Sequence, residues 1–304
     1  MNNPTASVPV KGVYSLLLTP FHESGEIDYA TYERYVDWQL SQQPQALFAS
    51  CGSSELLTLN AEERLQLTRI AVKRAGNIPV VATANAGSDP TAHRDELLRM
   101  AETGVSALVA VPPNDYGHDP SRLLHYFAEL ATSSPLPLIL YEFPGVAPHY
   151  IPPEVYGTLV SEHGISGIKD TTSTLEGITA KLAIAPDSLV FQANTAFLVQ
   201  AITAGANGIM AITSTAMANL NIRLWNRLQQ NGGIVDDEVQ PLHRELICLD
   251  ALISNGFTAT AKYLAALQGL PFTLKTRTGA SLQPSTAEAL RIWHETLDPA
   301  LQGN

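Results

Sequence analysis

Short apolar runs alternate with longer amphipathic segments along the whole chain. Each apolar run has hydrophobic residues on both faces, which is typical of strands in a parallel sheet. Because turn residues bound these runs, we interpret them as buried strands. The predicted strands are 12–19, 46–50, 79–84, 107–112, 137–142, 165–169, 188–193 and 208–213.

The segments between these runs carry apolar residues at the spacing of an amphipathic helix. Local signals mark several helix starts: Asn60 and Glu63 form a capping-box pattern, and Pro90 occupies a first helical position. The predicted helices are 28–42, 60–75, 90–103, 119–132, 152–163, 174–185, 195–204 and 215–230.

The alternation of strands and helices predicts an α/β fold in which crossover helices join parallel strands. The predicted units fill roughly the 250 residues that a (β/α)8 TIM barrel requires. A doubly wound open sheet, the alternative, usually carries a Gly-rich phosphate loop after one strand, and the sequence has none. We interpret GANG at 205–208 as a turn that ends one helix and leads into the next strand.

The C-terminal residues have helical patterns of their own, which span 234–254, 256–268 and 284–296. We therefore predict one structural unit, with the (β/α)8 barrel over residues 1–230. A C-terminal helical extension over 231–304 is expected to pack on that barrel.

Composition and charge exclude several classes of protein. The chain is 45% hydrophobic and carries a formal net charge of −11, with only 18 lysines and arginines. It has no basic run to bind a nucleic acid or an anionic membrane, and no apolar run near the roughly 18 residues of a membrane span. The N-terminus lacks the charged and apolar regions of a secretory signal, so we expect a cytoplasmic protein.

The sequence predicts neither a metal site nor an organic cofactor. Its 8 histidines are scattered, and it contains no HExxH, Cys/His cluster, GxGxxG or P-loop. Cys51 and Cys248 are the only cysteines, and they do not make a disulfide framework.

Two polar side chains stand near the ends of predicted strands, Tyr141 on the fifth and Lys169 on the sixth. In a TIM barrel, the groups that do chemistry stand at the C-terminal ends of the strands. Because neighbouring strands are about 4.8 Å apart, the two side chains can converge on one substrate. The alternatives are a lysine that merely reaches solvent and a core tyrosine with a hydrated hydroxyl.

Enclosure in an apolar barrel mouth would change the chemistry of Lys169. A free lysine has a pKa of about 10.4, and burial disfavours its ammonium form. The uncharged amine attacks a ketone carbon to give a Schiff base, and the protonated imine is an electron sink. The phenol of Tyr141 would carry the proton that moves as a substrate bond is made or broken.

The sequence Cys51-Gly52-Ser53-Ser54-Glu55 follows the second predicted strand, so we expect it to face the same cavity. Taken alone, the two serines are interpreted as turn residues and Glu55 as a partner of nearby backbone amides. A thiol nucleophile at Cys51 is disfavoured, because the sequence places no histidine or acid to activate it.

Three motifs at these positions resemble those of the dihydrodipicolinate synthase/N-acetylneuraminate lyase family of class I pyruvate aldolases. GIKDTT at 167–172 is similar to the Schiff-base lysine motif, and YEFP at 141–144 is similar to the catalytic tyrosine motif. CGSSELLTLNAEER at 51–64 resembles the family's carboxylate-binding loop and the helix start after it. The similarity extends from LLLTPF at 16–21 to TATAKYLAALQGLP at 258–271.

The resemblance implies a role for each matching residue. Lys169 would form the imine, Tyr141 would shuttle the proton and orient the substrate, and Ser53 would bind the keto-acid carboxylate together with backbone N–H groups. The other residues predicted to bind substrate are Gly52, Ser54, Glu142 and Ala211. The family also implies a homotetramer built from tight dimers.

Several positions depart from the family pattern. Gly52 stands where a first hydroxyl is usual, and Val146 stands where the synthases carry an arginine that binds the second substrate. Aligning VAVPPNDY puts Asp115 in place of the second tyrosine of a proton relay, with Tyr116 one residue on. Glu142 replaces the usual asparagine, and it either supplies an additional acid–base group or faces away from the site.

We therefore predict a Schiff-base lyase, either an aldolase or a dehydratase, that acts on pyruvate or a 2-keto-3-deoxy sugar acid. Dihydrodipicolinate synthase itself, which joins pyruvate to aspartate semialdehyde, is the first alternative. A barrel that binds a keto acid without turnover is the second. The absence of a ligand cluster disfavours a metal-dependent aldolase.

Overall fold

The computed structural model describes residues 9–302, whose strands form one closed barrel. The eight strands are parallel, follow one another in chain order, and close the barrel where β1 pairs with β8. They are β1 (Gly12–Leu16), β2 (Ala46–Ala49), β3 (Val80–Thr83), β4 (Ala107–Ala110), β5 (Leu138–Tyr141), β6 (Gly167–Asp170), β7 (Leu189–Gln192) and β8 (Gly208–Ile209). This arrangement confirms the predicted (β/α)8 barrel.

A helix follows each strand and covers the outside of the barrel. The predicted capping box is confirmed, because Asn60 Oδ1 accepts from the Glu63 N–H at 3.0 Å while the Glu63 carboxylate accepts from the Asn60 N–H at 2.9 Å. The helices are α1 (Tyr29–Ser41), α2 (Ala61–Ala75), α3 (His93–Ala101), α4 (Pro120–Ser133), α5 (Pro153–His163), α6 (Leu175–Ile184), α7 (Leu198–Thr203) and α8 (Ser214–Gln230).

Nearly every strand residue is buried, because the sheet separates two apolar layers. The inner layer fills the barrel with side chains such as Tyr14 and Phe191, whose ring centroids lie 4.7 Å apart. The outer layer lies between strands and helices and includes Val13 and Leu47. Burial on both faces explains why the strand runs lack alternation of polar and apolar residues.

The last strand is shorter than its predicted range and spans only Gly208–Ile209. Ser214, at the start of α8, explains where the pairing stops. Its Oγ accepts from the Leu16 N–H at 3.1 Å and donates to the Ala211 carbonyl at 2.7 Å. The Leu16 N–H at the end of β1 is therefore bonded to the first residue of α8 instead of to a longer β8.

Within residues 9–302, four further helices follow the eighth repeat, and α9 packs against α8. His243 Nε2 on α9 lies 2.9 Å from the Thr195 carbonyl, which belongs to the loop after β7. This contact holds the first half of α9 against that loop, and Asp250 and Ser254 near the end of α9 lie at the barrel mouth, where the strands finish. Within the described residues, no helix combines the length and the apolar character that a bilayer crossing requires. The four helices are α9 (Val239–Ser254), α10 (Thr258–Leu267), α11 (Pro284–Thr296) and α12 (Pro299–Gln302).

Candidate active site

Lys169 and Tyr141 are register partners on the adjacent strands β6 and β5. The Lys169 Nζ lies 4.2 Å from the centre of the Tyr141 ring and 5.3 Å from the centre of the Phe48 ring. The exposed fractions of Lys169 and Tyr141 are only 3% and 5%. The structure thus brings together, inside the barrel mouth, the two residues that the sequence predicts to act on the substrate.

The Lys169 amine is buried without a counter-ion. Within residues 9–302, neither a hydrogen bond nor an ion pair reaches its Nζ, and its near contacts are aromatic rings. Burial lowers the pKa of Lys169 from its ordinary value of 10.5 to about 8. At neutral pH about a tenth of such amines are uncharged, against roughly one in a few thousand for a free lysine.

Tyr141 keeps its proton because apolar groups enclose the phenol. Its ring packs against Phe48 and Phe143, with centroid distances of 6.2 and 5.3 Å. Burial raises the pKa of Tyr141 far above its ordinary value of 10. The hydroxyl lies close to Gly52, where an added Cβ would be 3.1 Å from the phenolic oxygen. A neutral phenol can both donate and accept a hydrogen bond at this point.

The turn after β2 brings Ser53 to the same cavity. Gly52–Ser54 forms one 3-10 turn, in which the Ser54 N–H donates to the Cys51 carbonyl at 3.0 Å. The N–H groups of Gly52 and Ser53 remain for other acceptors, because the first N–H groups of a helical turn have no partner within it. The Ser53 Oγ lies 3.0 Å from the Cys51 Sγ.

The Ser54 side chain, predicted to bind substrate, is instead engaged with the end of β1. Its Oγ donates to the Leu17 carbonyl at 2.5 Å and accepts from the Cys51 N–H at 3.1 Å. Ser54 does not line the cavity, and Gly52 contributes only backbone beside the Tyr141 hydroxyl. The structure therefore places Ser53 at the cavity and gives Ser54 a supporting contact.

Glu55 anchors this turn to the C-terminal part of the chain. Its backbone is left-handed, with φ of 60°, and its buried carboxylate accepts from the Lys262 Nζ at 2.6 Å. The N–H groups of Arg277 and Thr278 donate to its other oxygen at 2.7 and 2.9 Å. The sequence predicts that Glu55 binds nearby backbone amides. In the structure it does bind backbone amides, but these belong to Arg277 and Thr278, far along the chain. The sequence analysis did not predict the role of Lys262. The one feature that could have indicated it is the position of this lysine within the apolar pattern of α10.

Glu142 faces away from the cavity, as the two-residue period of a strand requires when Tyr141 faces inward. Its fully buried carboxylate accepts from the Lys181 Nζ at 2.7 Å and from the Thr171 N–H at 2.9 Å. The same Lys181 amine donates to Asp170 at 2.6 Å. Of the two interpretations of Glu142, the structure supports the one in which its side chain faces away from the site. The partner of Glu142, the buried Lys181, was not predicted from the helical pattern of α6.

The Ala211 side chain lies in the layer between the strands and the helices. Its neighbours Met210 and Ile212 line the cavity instead. The alternation of directions along an extended chain accounts for the difference. The structure therefore does not bring the predicted Ala211 side chain to the other candidate residues.

Three residues where the chain departs from the family pattern, Val146, Asp115 and Tyr116, lie outside the cavity. Val146 packs against the inner apolar cluster, and Asp115 is exposed with a φ of 65°. The Tyr116 ring packs against Tyr126 at 5.3 Å and beneath the Arg122 guanidinium at 3.7 Å. Neither Asp115 nor Tyr116 is among the described residues that line the cavity.

Of the candidate residues, Ser53, Tyr141 and Lys169 line a cavity of about 230 Å³ at the C-terminal ends of the strands. Asp250 and Ser254 in its wall come from α9, so the C-terminal helices form part of the site. No local pattern predicts this contribution, because it depends on how α9 packs on the barrel. Among the described residues, no cluster of His, Cys, Asp and Glu could hold a metal ion. The polar residues that line the cavity are Ser53, Tyr141, Lys169, Thr171, Asn194, Asp250 and Ser254.

The dihydrodipicolinate synthetase family model matches residues 9–296 of the chain. A 4-hydroxy-tetrahydrodipicolinate synthase from Gluconacetobacter diazotrophicus is 29% identical over 271 residues, which cover 86% of this chain and 88% of that protein. An N-acetylneuraminate lyase from Rhizobium meliloti is 28% identical over 298 residues, which cover 96% of each chain. A synthase and a lyase therefore match at nearly the same identity, and identity alone does not select between their activities.

Solved structures share the barrel at lower identity. A dihydrodipicolinate synthase from Bacillus anthracis has a TM-score of 0.88 at 22% identity and covers 96% of this chain and 99% of its own. A prophage protein of the same family from E. coli K12, in complex with pyruvate, has a TM-score of 0.86 at 20% identity and covers 94% and 97%. A protein from Clostridium difficile in complex with mannosamine has a TM-score of 0.85 at 20% identity and covers 94% and 99%. These likenesses confirm the fold.

Proposed function

Since the chain belongs to the dihydrodipicolinate synthetase family, we propose that it is a class I lyase whose Lys169 forms a Schiff base with pyruvate or a 2-keto-3-deoxy sugar acid. The observation that carries this proposal is the Lys169 amine itself, buried without a counter-ion and 4.2 Å from the Tyr141 ring. An unpaired buried cation destabilises a fold, so its presence at a strand end favours a chemical role.

In the first step, the uncharged Lys169 nitrogen attacks the C2 ketone carbon, and the Tyr141 phenol gives its proton to the carbonyl oxygen. Loss of water from this carbinolamine leaves the iminium. In an aldolase, the C4 hydroxyl then gives its proton to the Tyr141 phenolate and the C3–C4 bond breaks. The electron pair of that bond moves into the iminium, so an enamine and an aldehyde result. Protonation of the enamine at C3 and hydrolysis of the imine release pyruvate and restore the amine.

A dehydratase would share the iminium and differ in the bond that breaks. Loss of the C3 proton gives the enamine, which expels the C4 hydroxyl as water after that oxygen is protonated. The Tyr141 ring centre lies 4.2 Å from the Lys169 nitrogen and its phenol is neutral, so Tyr141 is assigned the proton transfers in both cases. The two activities therefore require the same pair of residues, and only product analysis separates them.

The C1 carboxylate is assigned to the turn after β2. The Ser53 hydroxyl and the N–H groups of Gly52 and Ser53 are neutral donors that face the cavity or remain unused within the turn. Such donors suit a chain with a net charge of −11, because local dipoles act more strongly on a bound anion than distant charges do.

Dihydrodipicolinate synthase itself is the alternative that a relative's name supports. Two features disfavour it. Val146 occupies the position of the arginine that binds the second substrate, and no arginine is among the described residues that line the cavity. Gly52 also leaves the Tyr141 hydroxyl without the neighbouring hydroxyl of the synthases' relay.

Reductive trapping tests the proposal. We expect the wild-type protein, incubated with pyruvate and borohydride, to gain the mass of one reduced pyruvyl group on Lys169, and the Lys169→Ala variant to gain none. Lys73→Ala, which removes an exposed lysine at the end of α2, is the matched control and should trap pyruvate like the wild type. A wild-type protein that traps nothing would contradict the proposal.

A substrate panel then separates the activities. Turnover of 2-keto-3-deoxy sugar acids to pyruvate plus an aldehyde identifies an aldolase, and loss of water identifies a dehydratase. Preferred turnover of pyruvate with aspartate semialdehyde would identify the synthase. Trapping of pyruvate with no turnover across the panel would support the third possibility, a barrel that binds a keto acid without reaction.

A further inference from the structure

Cys51 lies directly beside Ser53, the residue assigned to the substrate carboxylate. It is fully buried at the start of the Gly52–Ser54 turn, and its side chain belongs to the inner apolar cluster that includes Tyr141. The Cys51 Sγ lies 3.0 Å from the Ser53 Oγ. A thiol is a weak hydrogen-bond donor and a weak acceptor, so this contact can act in either direction.

The other oxygens around the sulfur determine what each direction requires. The Cys51 Sγ lies 3.4 Å from the Ser54 Oγ and 3.7 Å from the Leu17 carbonyl oxygen. The carbonyl can only accept, and the Ser54 hydroxyl already gives its proton to that carbonyl at 2.5 Å. Of these three oxygens, only that of Ser53 can therefore donate to the sulfur, whereas all three can accept from it.

The thiol can thus hold the Ser53 hydroxyl in two arrangements. Before substrate binds, the Ser53 O–H donates to the sulfur, and the thiol proton points to Ser54 or Leu17. When a carboxylate binds, the Ser53 proton turns to it, and the thiol proton turns to the Ser53 oxygen. Because sulfur is a weak acceptor, the hydroxyl loses little when it leaves the sulfur for a charged acceptor. The Ser53 oxygen stays in contact with Cys51 in both arrangements.

Ser53 is the residue of this turn whose orientation matters most. Gly52 has no side chain, and the Ser54 hydroxyl is engaged with Leu17. Within the turn, Ser53 alone therefore presents a hydroxyl to the cavity. A donor whose orientation is fixed before binding loses less conformational entropy when the substrate arrives.

We propose that Cys51 is a positioning residue, whose thiol aims the Ser53 hydroxyl at the carboxylate of the keto acid. This role rests on the proposed Schiff-base function. Cys51 acts on substrate binding through Ser53 and takes no part in the chemical steps at Lys169. Its removal should therefore change the substrate concentration that half-saturates the protein and leave the maximal rate nearly unchanged.

The test measures the initial rate of borohydride trapping as a function of pyruvate concentration, with the full-length protein. Cys51→Ala is expected to raise the half-saturating concentration by about two- to tenfold, the effect of one hydrogen bond, and to keep the saturating rate within about twofold of the wild type. Cys51→Ser keeps a donor and an acceptor, so it should lie closer to the wild type than Cys51→Ala does. Cys51→Val, a second apolar variant, repeats the test without opening a cavity. Cys248→Ala, which changes the exposed cysteine of α9, is the matched control.

A double variant separates this role from a structural one. In a Ser53→Ala background, which has no hydroxyl to aim, Cys51→Ala should change the half-saturating concentration by less than about twofold, because the two residues act through one contact. An equal increase in both backgrounds would overturn the role of Cys51, and so would an unchanged half-saturating concentration in Cys51→Ala alone. A wild-type protein that traps no pyruvate at all would overturn the proposed Schiff-base function, and the role of Cys51 with it.

Discussion

The Lys181 Nζ lies 2.6 Å from Asp170, the residue that directly follows Lys169 on β6. It also lies 2.7 Å from Glu142, the residue that directly follows Tyr141. One buried ammonium from α6 therefore joins the ends of the two strands that carry the proposed catalytic pair, on the side opposite to the cavity. The exposed fractions of these three side chains are 0–1%, so the charges have no access to solvent.

Removal of this ammonium is expected to be strongly destabilising. Lys181→Met leaves two carboxylates buried without a cation, and loss of one partner from a buried ion pair typically costs about 3–5 kcal/mol. Urea denaturation would measure the free energy of unfolding. The triple variant Lys181→Met, Glu142→Gln, Asp170→Asn should recover part of the loss, because no charge is then left unpaired.

Arg291→Met is the matched control for that experiment. Arg291 pairs with Glu288 and Glu295 on the exposed face of α11. Surface pairs of this kind contribute about 0–1 kcal/mol, so its loss should be small. A Lys181→Met variant no less stable than Arg291→Met would contradict the role assigned to the buried cluster.

The pH dependence of imine formation should report the lowered pKa of Lys169. Only the uncharged amine is a nucleophile, so the rate with pyruvate is expected to rise with pH through about 8 and then level off. Rapid quenching with a hydride donor at a series of pH values would give this profile. A rate that still rises steeply towards pH 10.5, the ordinary pKa of lysine, would show that burial does not lower the pKa of Lys169.

Lys169→Met is expected to abolish trapping and to stabilise the protein near neutral pH. Because the folded-state pKa of about 8 is below the ordinary 10.5, the unfolded chain binds the proton more tightly. The resulting destabilisation is largest below about pH 8, on the order of 1–3 kcal/mol, and disappears as pH rises towards the unfolded value. Denaturation of both proteins at pH 7 and near pH 10 should show a stability difference that shrinks with pH. A variant that is less stable than the wild type at pH 7 would count against a buried, unpaired ammonium.

Gly52→Ala tests whether the Tyr141 hydroxyl needs the space beside the turn. The added methyl would lie 3.1 Å from the phenolic oxygen and 3.2 Å from the Phe143 ring. Overpacking of this kind typically costs about 1–3 kcal/mol, and displacement of the phenol should lower kcat by about tenfold or more. In a Tyr141→Phe background the same change should have little further effect on kcat, because the two act through one hydroxyl. Equal losses in both backgrounds would contradict that coupling.

The fold was predictable because a strand that is buried on both faces appears in the sequence as an almost continuous apolar run. The runs at β2 and β5 contain hardly a polar residue, and helical spacing follows each of them. The same reasoning placed Tyr141 and Lys169 together, since both stand at the C-terminal ends of strands that are neighbours in the barrel. The short β8 was not predictable, because it depends on the Ser214 hydroxyl replacing a backbone partner.

The parts of the site that sequence reasoning missed are contacts between distant segments. Lys262 pairs with Glu55 across 207 residues, and Lys181 pairs with Glu142 across 39. Each residue by itself looks like an ordinary charge in an amphipathic helix. Asp250 was missed for the same reason, since only the packing of α9 turns its carboxylate towards the cavity. Local patterns specify the barrel, whereas the surroundings of its chemistry are specified by tertiary structure.

The bonds of Glu55 to Lys262 and Arg277 make the turn after β2 depend on residues more than 200 positions later in the chain. A ribosome must finish nearly the entire chain before the turn proposed to bind the substrate carboxylate can take its final position. A chain that ended earlier could still close its strands into a barrel, but it would lack the contacts that hold this turn at the barrel mouth.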